Sequence, residues 1–184
     1  MQEKSNEETF AVKNAGTVLF LGVSAVVFFI LYFSYEKLLV DTQLFGHYLE
    51  LCTQLASQLL TAISVEHQWI YGTEDLKTRL ADGELGAFID ITKHSDASMI
   101  CAVLIACIAA WPGNIVKKLG AVVLGVAIIL ALNIVRIAAM LVVDIYAPLH
   151  FELYSTMILP GILIAAAVGY FIFWIRISGT HPSD

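Results

Sequence analysis

The chain has 184 residues, enough for one compact unit and too few for two large ones. Residues of the AVILMFWYC set make up 59%, charged residues 14%, and the mean hydropathy is +0.80. A soluble domain carries about 45–50% apolar and roughly 25% charged residues, so a water-soluble globule is close to excluded. Ten basic against 16 acidic side chains give a net charge of −6, which argues against nucleic acid as a partner.

The gaps between charges predict the spans. Residues 14–35, 97–116 and 153–175 carry no charge, and each run is long enough to cross about 30 Å of hydrocarbon. A fourth run, 119–143, is broken once, by Arg136. In chain order the reading is a polar N-terminus (1–14), a retained span (15–35), an ambiguous helix (45–65), an outer loop (66–96), spans at 97–116, 119–143 and 153–175, and a tail (176–184). All belong to one integral-membrane domain.

Segment 45–65 has Leu51, Leu55, Leu59 and Ile63 on one face, and Glu50, Gln54, Ser57 and Gln58 on a polar stripe. That pattern suits a helix lying in the membrane interface, or a span packed with its stripe toward a wet cavity. Lys4, Lys13, Lys117, Lys118 and Arg176 mark the cytoplasmic side by the positive-inside rule, which puts the 66–96 loop outside. Within that loop His67–Tyr71 and Gly86–Thr92 read as short strands. Thr73–Leu80 reads as one or two helical turns, and Asp82-Gly83 as a turn. The fold class expected is an all-α polytopic membrane protein: a bundle of four to five transmembrane helices under a small extracytoplasmic cap containing short β-strands.

The polar residues inside apolar runs are the candidates for function. An arginine as deep as Arg136 costs at least about 2.5–3.5 kcal/mol unless paired, wet or snorkelling. Asn133 lies one turn before it on the same face. The bland alternative is an arginine snorkelling to the outer headgroups and pairing with Asp144. Ser95 and Asp96 precede the 97–116 span, where the plainest role is a helix N-cap. Ser155 starts the last span, where its plainest bond is to the backbone one turn back. His150 stands in a turn after Pro148, and His67 and His94 read as loop residues. Cys101 and Cys107 read as inert core, and no metal-ligand spacing or cofactor motif is present.

Three stretches together carry a resemblance: HSDASMICAVLIACIAAWP (94–112), KKLGAVVLGVAIILALNIVRIAAMLVV (117–143) and PLHFELYSTMILPG (148–161). In order and spacing they resemble the exosortase/archaeosortase family, closest to short exosortase H-type members, over about residues 84–176. The resemblance implies a membrane cysteine peptidase/transpeptidase that cleaves C-terminal sorting signals at the outer face. Such a signal is a short motif, a transmembrane helix and a basic cluster. Its implied partners are membrane lipids and substrate proteins bearing that signal, and its implied location is the cell membrane, of a bacterial inner-membrane type.

Carried over residue by residue, the family arginine falls on Arg136 and its asparagine on Asn133. The cysteine slot falls on Ser95 and the histidine slot on Ser155, with Asp96 and His150 in supporting places. Both reactive positions depart from the family, since a serine hydroxyl needs an adjacent base that Ser155 does not supply. The expectation is therefore a sorting peptidase impaired at Ser95. The alternative from another class is a non-catalytic polytopic protein: a signal-helix binder, an assembly partner or a small transporter subunit.

Overall fold

The computed structural model describes residues 2–40, 42–71, 78–82, 86–92 and 96–178. Helix α1 (Gln2–Ser34) runs into a π-helical turn (Tyr35–Leu39), and α2 covers Gln43–Ala62. Strands β1 (Gln68–Tyr71), β2 (Thr78–Ala81) and β3 (Phe88–Ile91) come next. They are followed by α3 (Ser98–Ala110), α4 (Ile115–Tyr146), a 3₁₀ turn (Pro148–His150) and a short α5 (Phe151–Leu153). A second π-helical turn (Tyr154–Ile158) leads into α6 (Leu159–Ser178).

Three helical stretches are long and apolar enough to cross a membrane: Gly16–Leu39, Ile115–Tyr146 and Pro148–Ser178. They expose large side chains, such as Leu19, Phe29, Leu124 and Phe173, of the kind that lipid covers. The expected span at 97–116 is shorter in the structure. Helix α3 has 13 residues, about 20 Å of rise, and stops at Trp111-Pro112-Gly113. Pro112 cannot extend it, and Gly113 takes a φ of 143° that a side chain would resist. Asn114 then opens α4, its Oδ1 accepting from the backbone N–H of Val116 at 2.8 Å.

Helix α4 has 32 residues, about 48 Å, so it outreaches a hydrocarbon layer of about 30 Å by some 18 Å. Its two halves carry two cores. The first half packs Ala121 and Ile129 with Cys101, Leu104 and Ile108 of α3 and Leu163 and Ala167 of α6. The second half packs Ile137, Ala138 and Leu141 with Phe45, Leu49, Cys52, Ala56 and Leu60 of α2, and with Leu80, Ile89 and Ile91 of the sheet. The second half of α4 is therefore the post on which α2 and the sheet are mounted. Within the 45–65 segment α2 packs on α4 through Phe45, Leu49, Cys52, Ala56 and Leu60, whereas Leu51, Leu55 and Ile63 of the expected apolar face are exposed.

The sheet is antiparallel with order β1-β2-β3, Thr78 facing Ile91 and Tyr71 facing Thr78 in register. Residues 78–80 form a strand, which corrects the helical turns expected there; residues 73–77 lie outside the described residues. Alternation decides it: Thr78 and Leu80 point into the core while Arg79 points out. Arg79 binds Asp90 through Nε at 2.7 Å and Nη2 at 3.1 Å, and lies 4.2 Å from the ring centre of Phe88. Hydrogen bonding to Asp90 raises the guanidinium pKa above its ordinary value. Gly83 of the expected Asp82-Gly83 turn lies outside the described residues; the Asp82 N–H donates to Ala87 O at 2.8 Å.

Close packing of α4 on α6 depends on one glycine. A Cβ on Gly125 would lie 2.6 Å from Tyr170 Cε1 and 2.9 Å from Leu104 Cδ2. Tyr170 cannot easily yield, because its hydroxyl donates to Ala121 O at 2.7 Å. Gly125→Ala gains about 1 kcal/mol of helix propensity but overpacks this contact by about 1–3 kcal/mol. It should lower the melting temperature, whereas Gly120→Ala, with open space around it, should not.

Candidate functional site

Asn133 falls on α4 between the two cores, one turn from Ile129 and one from Ile137, and is 1% exposed. Its Oδ1 accepts from Arg136 Nη1 at 3.2 Å, while its Nδ2 has no partner among the described residues. Arg136 is half-buried, and its Nε is sealed from solvent. The Asn133–Arg136 pair thus shares one face of α4, as the spacing of three residues predicts.

The opposing charge comes from Asp96, just before α3. Asp96 Oδ2 accepts from Tyr35 Oη at 2.8 Å and from Ser98 Oγ. The N-cap position itself is Ala97, with no capping side chain. Ser95, for which a cap role is the plainest expectation, and His94 lie outside the described residues. The Asp96 carboxylate interacts electrostatically with Arg136. It also acts on Cys52 and Tyr48 of α2 and on Cys101 of α3, which makes it the hub of the polar cluster.

Tyr35 sits on the π-helical turn that ends α1, a local widening often found at functional positions. Between this turn and α3 lies a cavity of about 190 Å³, lined by Tyr32, Tyr35, Glu36, Asp96, Ser98, Met99 and Ala102. Tyr48 adds a second buried hydroxyl, beside the Cys52 thiol on α2. The Arg136 guanidinium and the Asn133 amide, side by side on α4, are groups that can donate to a carbonyl or carboxylate oxygen.

Ser155 is not part of this arrangement. It lies on the second π-helical turn, and its Oγ donates to Glu152 O at 3.3 Å, the back-bond expected of a serine in a helix. Thr156 does the same at 2.5 Å. His150 is exposed on the 3₁₀ turn, and no histidine among the described residues hydrogen-bonds Ser155. Sequence reasoning missed Tyr35, Tyr48 and Cys52. Their only signal was a polar Tyr-Glu pair ending an apolar run, and a tyrosine on the apolar side of α2. A scan against protein-family models, and searches of curated proteins and of solved structures, find no match to this chain.

Proposed function

We propose that this chain is an exosortase-like membrane protein that takes the C-terminal sorting signal of a substrate protein at the sheet end of the bundle. In this reading α3 completes a fourth membrane segment, Lys117 and Lys118 face the cytoplasm, and the sheet faces the extracytoplasmic side. The family's reaction is peptide cleavage and transfer; Ser95 in the nucleophile slot leaves this chain a weak peptidase or a binder. The carrying observation is the inward Asn133–Arg136 pair facing Asp96, immediately after Ser95. A carbonyl held by Arg136 and Asn133 would be polarised toward a nucleophile at 95.

One observation favours the non-catalytic alternative. Ser155 is tied to its own helix and supplies no base. A crosslinking experiment tests the shared part of both readings. A photoreactive side chain at Met99, on the cavity wall, should capture a co-expressed protein ending in motif, helix and basic cluster. The same tail with its motif scrambled should not be captured. Equal capture of both tails, or of neither, would sink the reading.

A further inference from the structure

A second constellation lies away from this cluster, where α2 meets the sheet. Ser57 Oγ and His67 Nε2 are 2.6 Å apart. His67 Nδ1 is 2.8 Å from Val65 O, an acceptor only, so Nδ1 carries the proton and donates there. That leaves Nε2 as an acceptor for the Ser57 hydroxyl. The turn that delivers His67 is held in an uncommon conformation: Ser64 has a φ of 59°, and Val65 N donates to Leu60 O at 3.0 Å. Ser57 is half-buried on the polar side of α2, and the Thr61 hydroxyl bonds its carbonyl at 3.0 Å.

We infer that Ser57 and His67 form a nucleophile–base pair that acts on carboxylic esters reaching α2 from the aqueous side. A nucleophile, a base within hydrogen-bond reach and a third group orienting the base are the parts of such a pair. Ser57 Oγ attacks the ester carbonyl as its proton passes to His67 Nε2. The C–O bond to the alcohol then breaks, the alcohol leaves with that proton, and the acyl group remains on Ser57. Water, losing a proton to His67, releases the carboxylic acid and restores the serine. The orienting group is a neutral carbonyl, which steadies the imidazolium less than a carboxylate would. Esters, whose leaving alkoxide needs less help than an amine, are therefore the substrate class.

The test is labelling of the full chain in detergent with a fluorophosphonate, sites mapped by mass spectrometry, alongside hydrolysis of p-nitrophenyl butyrate. The expected result is an adduct on Ser57, abolished in Ser57→Ala and slowed about a hundredfold in His67→Gln. The glutamine keeps an acceptor for the Ser57 hydroxyl but cannot take up its proton. Ser178→Ala, whose hydroxyl only bonds Trp174 O in its own helix, should label as the parent does. Absence of an adduct on Ser57 in a folded protein, or undiminished labelling of His67→Gln, overturns the pair. An adduct on Ser95 instead would overturn it too.

Discussion

Arg136→Lys and Asn133→Leu should each weaken capture of a tail-bearing substrate, and neither should lower the melting temperature. The two changes test one site from opposite sides of its energetics. Arg136 presents a planar fork that can bond Asn133 Oδ1 and a substrate oxygen together; an ammonium keeps the charge but not that geometry. A lost charge-assisted hydrogen bond is worth about 1.5–3 kcal/mol, so capture should weaken by about ten- to a hundredfold. Lysine still answers the Asp96 carboxylate, so the fold has no reason to suffer.

Asn133→Leu asks the converse question. The asparagine lies between two apolar cores with Nδ2 unsatisfied, a burden of about 1–3 kcal/mol. Leucine, of the same branching though larger, removes that burden and joins Ile129 and Ile137, at the expense of one Arg136 hydrogen bond of about 1 kcal/mol. Stability should hold or rise while capture weakens. A residue kept for packing would behave in the opposite way. A sharp fall in melting temperature with capture intact would return Asn133 and Arg136 to structural roles.

Much of the scaffold was legible because charge is so costly in hydrocarbon that the uncharged runs show where helices go. The inward pair was legible too, since residues three apart on one helix must share a face. The length of α3 was not. Ala97 to Val116 is uncharged throughout, and only Pro112 and Gly113 betray that the helix ends early. Strand β2 hid for another reason: Thr-Arg-Leu-Ala has no strong strand signal, and its pairing with Ile70 and Ile89 neighbours is a tertiary matter. Tyr35, Tyr48 and Asp96 meet from three separate segments, and nothing local announces such a meeting. The Ser57–His67 pair is nearer in sequence, yet it needs the Ser64 turn to fold the strand back on α2.

Ser95→Cys is where the proposed chemistry is most exposed to refutation. At the start of α3 Ala97 holds the cap position with no capping side chain, and Asp96 accepts from Ser98. A cysteine at 95 should therefore leave stability almost unchanged. It would stand beside Asp96, whose carboxylate already interacts with the Arg136 guanidinium. That guanidinium and the N-terminus of α3 favour the thiolate, while Asp96 opposes it. The three native thiols provide the reference. Cys52 and Cys101 are 6% and 7% exposed, and Cys107 is half-buried in an apolar helix. The new thiol should be alkylated at least about tenfold faster than any of them. With a cognate tail it should form a thioester that mass spectrometry detects on the peptide containing position 95, and Arg136→Lys should suppress it. The parent serine should hold the same tail without an adduct. A Ser95→Cys thiol no more reactive than Cys107, with no thioester formed, would remove position 95 from the site and leave the bundle a binder.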